Sequence, residues 1–420
     1  MSSSQSRLLP KLLLKPPSVL VVYIIVAIVA SMQMILLGTS VFNPTTNGGL
    51  ISDVVNTPEV QQYFTGHYLT QYNNYVIFKC SFFHLLKGVN LYGLHPADHW
   101  DLFKYSPTFA LFMGLFAWMP DWLGLSIWCI LNVVVLYFAI NMLPFNTKTR
   151  ALLLWFLLIE LLTSLQNCQV NGVLCGLMVM GFCLMQRGKM QWVALMLVMA
   201  AFIKIYGAAA FCLFLFFPDK IKFILWCLLW SIILFLLPLV VTPFHTLIAQ
   251  YQNWMAMMSA DQAASYGVSV MGWMHTWFHF DDKVVILATG LVCLTLPFLN
   301  IKLYQNPLYQ LLMLASVLIW VIIFNHKAES ATYIIAVAGA GIWYFARKPS
   351  VWRILVLYLV FIFTCLSYTD LFYKPFAVAV VRPYAVKALP CVLVWGLLLM
   401  ELILMKPEAR LYNIGKKAAG

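Results

Sequence analysis

Residues 105–120 read YSPTFALFMGLFAWMP, and the topology of the whole chain turns on whether they cross a bilayer. The run is apolar but short. It opens at Ser106-Pro107 and stops at Pro120. A spanning helix needs roughly 20 apolar residues, so an interfacial or re-entrant helix is expected here. Further apolar runs lie near 19–37, 122–143, 150–164, 169–186, 190–203, 205–217, 221–243, 284–299, 307–325, 331–346, 352–367 and 384–404.

Short basic loops separate these runs: Lys148 and Arg150, Arg187 and Lys189, Lys220 and Lys222, Lys302, then Arg347, Lys348 and Arg353. The tail adds Lys406, Arg410, Lys416 and Lys417, and the N-terminus carries Arg7, Lys11 and Lys15. Basic loops stay on the cytoplasmic side. If every apolar run crossed, Lys148 and Arg150 would fall outside. Leaving 105–120 uncrossed removes that conflict. The expected fold is an all-α polytopic bundle of about twelve transmembrane helices, each of roughly 20 residues, with both termini cytoplasmic. The first run is long and lacks a small-residue cleavage site, so it reads as a retained helix. Residues 1–420 are expected to form a single domain, with large outer pieces at 38–121, 244–283 and 368–383.

Composition supports a membrane chain. Of the 420 residues, 63% are hydrophobic and 10% charged, against about 25% charged in soluble domains. The net charge of +12 sits in cytoplasmic loops facing anionic lipid, so no nucleic-acid partner is expected. The ten cysteines form no CxxC pair and read as small core residues. No Walker A, GxGxxG or HExxH motif is present, and Asp98, His99 and Asp101 offer only a weakly spaced candidate for a metal.

Residues 190–217 are flanked by basic loops at both ends, so the chain must go out and return within them. The two halves meet at Lys204-Ile205-Tyr206-Gly207, a break of the kind that lines a cavity. Asn73-Asn74-Tyr75 opens a helical pattern that Gly88 closes, with Asn as N-cap. Asp98-His99-Trp100-Asp101 follows, just before Lys104-Tyr105. A general base needs a carboxylate near the acceptor hydroxyl with water largely excluded, and Asp101 meets that need best. Glu160 and Lys204 are charges within or beside apolar runs, where such residues face a cavity or a partner. Gln169-Val170-Asn171-Gly172 and the segment from Asn325 through His326, Lys327 and Glu329 to Ser330 sit near outer helix ends. Lys204, His326, Lys327 and Arg382 supply positive charge suited to a phosphate headgroup. Gly172 and Gly176 make a GxxxG, and Asp281-Asp282 reads as a solvated helix start.

Together these segments resemble the GT-C class of membrane glycosyltransferases, and within it family 87, which includes polyprenyl-phosphate-mannose-dependent mannosyltransferases. The likeness is carried by Asn74-Tyr75 leading to Gly88-Val89-Asn90-Leu91-Tyr92, by Tyr105-Ser106-Pro107, by Gln169-Val170-Asn171 and by Lys204-Ile205-Tyr206. A family histidine near the outer end of a late helix corresponds to His326. The family's catalytic base is an aspartate in the first outer loop, and Asn74 stands at that position here. Neutral Asn cannot take a proton, so Asp101 or Asp98 is expected in that role.

The resemblance implies a GT-C-like bundle in the plasma (inner) membrane with its active site on the extracytoplasmic side. It implies inverting, metal-independent transfer of a hexose, mannose in the relatives, from a polyprenyl-phosphate sugar to a lipid or glycan acceptor. No cofactor is expected beyond the lipid-linked donor, and membrane lipids are the other partners. Lys204, His326, Lys327, Arg382 and Tyr206 would hold the donor phosphate. Gln169, Asn171, Tyr105 and Glu160 would contact substrate. The competing reading is a transporter or lipid flippase, which would also account for Glu160, Lys204 and the broken helices.

Overall fold

The computed structural model describes residues 14–43, 55–264 and 266–414. Arg7, Lys11, Lys416 and Lys417 lie outside these residues. The described chain is helical, apart from one antiparallel ribbon that pairs β1 (Thr39–Val41) with β2 (Tyr68–Thr70).

The first helix, α1 (Pro16–Leu37), starts on a proline and ends at Gly38, whose φ of +62° suits a residue without a Cβ. Short helices α2 (Pro58–Phe64), α3 (Asn73–Leu86), α4 (Pro107–Phe112) and α5 (Gly114–Ala117) precede α6 (Asp121–Met142). The bundle continues with α7 (Thr147–Gln166), α8 (Asn171–Met185) and α9 (Met190–Ile203). A 3-10 helix, Ile205–Phe216, leads to α10 (Lys220–Leu236), α11 (Phe244–Ala264), α12 (Val270–Phe278) and α13 (Lys283–Thr295). The last elements are α14 (Pro307–Ile323), α15 (Tyr333–Phe345), α16 (Val351–Leu359) and α17 (Leu389–Ile403).

Five helices among the described residues are long and apolar enough to cross a membrane. Eight shorter apolar helices accompany them. The α14–α15 hairpin forms the centre of one continuous apolar core. By contrast α10 exposes a stripe of Ile221, Leu225, Leu228 and Ile232. Exposed apolar surface on that scale needs lipid rather than water as its solvent.

Close approach and a few polar contacts set the packing, as expected where hydrophobicity cannot drive one helix onto another. A Cβ on Gly172 would lie 3.0 Å from the Asn132 carbonyl, and one on Gly176 would lie 2.7 Å from Val135 Cγ1. The GxxxG face of α8 therefore packs directly on α6. Tyr23 donates to the Leu154 carbonyl at 2.5 Å, and the Ser31 and Ser126 hydroxyls meet at 2.9 Å. These bonds tie α1 to α7 and α6.

Residues 105–120 fold as two short helices, α4 and α5. Ser106 Oγ accepts from the Phe109 amide at 3.2 Å as the N-cap of α4. Trp118 and Leu115 face outward. The Asn73 cap differs from expectation. Asn73 is already helical, and its Oδ1 accepts from the Trp100 amide at 3.3 Å. The side chain is used to hold the neighbouring loop, which a cap role would forbid. Gly88, at φ +69°, ends the segment as expected.

Candidate active site

A cavity of about 410 Å³ opens where the ends of these helices converge. Its walls come from five separated stretches: Asn74, Ile77 and Phe78 of α3; Asp101 to Tyr105; Gln169; the break from Lys204 to Tyr206; and Trp320 to Glu329 at the end of α14 and beyond. Met258 and Asp261 of α11 close it on another side.

The break is where the sequence placed it. Helix α9 ends at Ile203, and Lys204 is extended at φ −138°, ψ 125°. The returning 3-10 segment lies so close that a Cβ on Gly207 would sit 2.7 Å from the Ala200 backbone. Lys204 Nζ donates to Gln169 Oε1 at 3.3 Å and to Asn171 Oδ1 at 3.2 Å. It also stands 5.4 Å from the centre of the Tyr105 ring and 5.8 Å from that of Tyr206, within cation–π range. Tyr105 Oη donates to the same Gln169 oxygen at 3.0 Å, and Gln169 Nε2 reaches Glu329 Oε2 at 3.4 Å. Asn171 is fully buried behind the cavity wall and anchors to the Ala331 carbonyl at 2.8 Å. Its role in this geometry is to orient Lys204.

A second charge cluster stands on the other side. Asp261 Oδ1 accepts from Lys327 Nζ at 3.0 Å and lies 3.6 Å from Lys104 Nζ. Burial of Lys104 pulls its pKa down, but the Asp101, Asp261 and Glu329 carboxylates outweigh that and hold it above the ordinary lysine value. Asp101 Oδ1 accepts from the Leu102 amide at 2.7 Å. Asn74 Nδ2 donates to the Asn167 carbonyl at 2.9 Å, which fixes its amide beside the cavity. Lys79 holds α3 in place by bonding Asp121 at 2.7 Å. His326 is held below the ordinary imidazole pKa, chiefly by burial, and so is neutral at pH 7.

Three buried donors on the cavity wall have no hydrogen-bond partner among the described residues: Tyr206 Oη, Trp320 Nε1 and Asn325 Nδ2. Each unsatisfied group costs about 1–3 kcal/mol. A ligand rich in oxygen acceptors would satisfy all three. The loop carrying His326 is seated by Gly267, where a Cβ would meet the His326 carbonyl at 2.6 Å.

Three residues expected at the site lie elsewhere. Asp98 turns to His84 Nε2 at 2.8 Å, outside the cavity. Arg382 is exposed, 5.7 Å from the centre of the Tyr368 ring. Glu160 is wholly buried against Lys387 Nζ at 2.6 Å. Each is satisfied by a neighbour that sequence spacing does not reveal. Asp261, Lys104 and Glu329 were not among the expected site residues. Asp261 is the only carboxylate in α11, and that isolation in an otherwise weakly charged helical run was the available signal. Asp282 caps α13 by accepting from the Val285 amide at 3.0 Å, as its position suggested.

The same loop has a pH signature. His99 is buried, and burial, reinforced by His84 and His95, lowers its pKa to about 4. The unfolded chain therefore binds a proton that the folded chain refuses below about pH 6.5. Stability from this group is present above that pH and is lost as pH falls toward 4. A melting-temperature profile from pH 7.5 to 4.5 is expected to decline, and His99→Gln should flatten it.

The model of the family described as glycosyltransferase family 87 matches residues 103–369. No curated protein matches the chain. The matched span includes Lys104, Tyr105, Gln169, Lys204, Asp261, His326 and Glu329; Asp101 stands just before it and Asn74 well upstream. Matched over more than half its length and built of apolar helices around a cavity that carries charged side chains, the chain belongs to glycosyltransferase family 87 and is a membrane glycosyltransferase.

Proposed function

We propose that this protein moves a hexose, mannose by its family resemblance, from polyprenyl phosphate to a lipid or glycan acceptor on the extracytoplasmic face of the plasma membrane. Twelve crossings with both termini cytoplasmic are part of that reading. The observation that carries it is the convergence of Asn74, Asp101, Gln169, Lys204, His326 and Lys327 on one cavity.

The reaction is an inverting displacement without a metal. The acceptor hydroxyl attacks C1 of the sugar and gives its proton to Asp101, while the bond from C1 to the phosphate oxygen breaks. The leaving polyprenyl phosphate gains negative charge. Lys204 and Lys327 lie on the cavity wall to offset that charge, with neutral His326 as a hydrogen-bond donor. Asn74 cannot be the base, but its fixed amide serves to orient a sugar or acceptor hydroxyl. The orphan donors Tyr206 Oη, Trp320 Nε1 and Asn325 Nδ2 suit sugar hydroxyls and phosphate oxygens.

The test is to incubate the purified chain in proteoliposomes with a panel of polyprenyl-phosphate sugars and extracted membrane glycolipids. Transfer from one of these donors is expected, and the absence of transfer from all of them would sink the reading. Lys204→Ala is expected to lower kcat/KM for the donor about 10–100-fold, the equivalent of one or two charge-assisted hydrogen bonds. The fold should survive, because Gln169 and Asn171 can take water in place of the ammonium. Unchanged kinetics would make Lys204 a packing residue.

A further inference from the structure

A second polar site lies at the opposite end of α15. That helix has 13 residues, so about 20 Å of rise separates the Asn325 to Glu329 loop from Arg347. A cleft of about 460 Å³ there is lined by Arg347, Lys348, Arg353, Arg410, Leu411 and Tyr412.

The cleft is built by three segments that are firmly joined. The Tyr412 amide donates to the Ala346 carbonyl at 3.0 Å, and Asn413 Nδ2 donates to the Phe345 carbonyl at 3.2 Å. The Asn146 amide reaches the Asn413 carbonyl at 2.8 Å. Arg353 is 4% exposed. Its Nη1 bonds Glu401 Oε2 at 3.1 Å and its Nη2 bonds the Trp343 carbonyl at 2.5 Å, while its Nε is buried without a partner among the described residues. Arg347 takes the other oxygen of the same Glu401 at 2.5 Å. One carboxylate thus serves two guanidiniums, and no carboxylate among the described residues pairs with Lys348 or Arg410.

Four cations line the cleft, and Glu401 is the one carboxylate among the described residues that pairs with any of them; with a buried guanidinium N–H still unsatisfied, they call for an oxyanion. Guanidinium and ammonium groups together suit phosphate. The rim points to its source. Tyr412 of the cleft is an exposed aromatic, Trp352 and Leu404 are exposed in the adjoining hollow that shares Arg347 and Arg353, and Val351, two residues before Arg353, is exposed as well. That mixture marks a membrane–water boundary. We infer that this cleft binds the phosphate of an anionic phospholipid headgroup, separately from the sugar-transfer cavity.

The test uses the full chain in a neutral detergent. Its melting temperature is followed against dihexanoyl phosphatidylglycerol, dihexanoyl phosphatidylcholine and inorganic phosphate. A saturable rise is expected with phosphatidylglycerol alone. In Lys348→Ala/Arg410→Ala the half-saturating lipid concentration should rise on the order of 30-fold, from about 1 kcal/mol for each cation removed. Both side chains are exposed and unpaired with any described carboxylate, so the variant should fold. Raising NaCl from about 0.05 to about 0.5 M should weaken the wild-type response as well, which needs no variant. An equal response to phosphatidylcholine, insensitivity to salt, or an unchanged double variant overturns the site. An equal response to inorganic phosphate overturns the lipid assignment.

Discussion

Asp101→Asn will reduce sugar transfer by about 10²–10⁴-fold, the range for losing a general base, while the protein melts where the wild type does. The substitution keeps the side chain's shape and its acceptor for the Leu102 amide. It removes the capacity to take a proton, together with one of the negative charges that act on Lys104. Asp101 is the carboxylate to test because it lines the cavity beside Asn74, in the first outer loop of the expected topology, where the family resemblance places the base. Asp261 is shared between Lys104 and Lys327, and Glu329 accepts from Gln169. Radiolabelled transfer under single-turnover conditions separates chemistry from product release. Asp98→Asn is the control: it faces His84 away from the cavity, and its rate should stay within about twofold, as for a side chain outside the reacting groups. Wild-type turnover in Asp101→Asn would remove this residue from the mechanism. Equal losses in both variants would show that the loop, rather than one carboxylate, is what matters.

Lys387→Met will destabilise the fold by about 3–5 kcal/mol, the cost of stranding one member of a buried ion pair. Lys387 and Glu160 are both fully buried and 2.6 Å apart. The ammonium also donates to the Thr364 carbonyl at 2.8 Å and stands 5.2 Å from the centres of the Tyr333 and Tyr368 rings. Among the described residues Glu160 Oε2 has no hydrogen-bond partner, and Lys387 is the cation that makes its charge tolerable. Adding Glu160→Gln to Lys387→Met should recover most of the loss, because two neutral side chains no longer pay for desolvating a charge. Thermal unfolding followed by tryptophan fluorescence would read the cycle. A double variant no more stable than the single one would show that the two charges are not coupled. Transfer by the folded fraction should be unaffected, since neither residue lines the cavity.

The contrast between Lys204 and Glu160 shows how far the sequence could be read. Each is a charge set against apolar surroundings, and each required a cavity or a partner. Lys204 sits at a helix break that basic loops on both sides made necessary, so its place on a cavity wall was legible. Glu160 lies within an unbroken helix, α7. Nothing local distinguishes a cavity-facing glutamate there from one neutralised by a lysine 227 residues away. Arg382 failed for the same reason, because its charge was legible and its neighbour, the Tyr368 ring, was not. Asn171 was found as a residue but placed one layer too far forward.

Composition and the spacing of apolar runs determined that this is a helical membrane protein. The basic loops and prolines marked where its chain bends, because lipid admits only segments whose backbone is satisfied internally. The order of the short motifs was enough to suggest the family. Only the tertiary structure decided which polar groups meet. Asp261 joins Lys104 to Lys327, Asn171 steadies Lys204, and Glu160 is neutralised by Lys387. Those pairings depend on helix rotation and close packing between segments far apart in the chain, and hydrophobic periodicity in one segment carries no information about its partner in another.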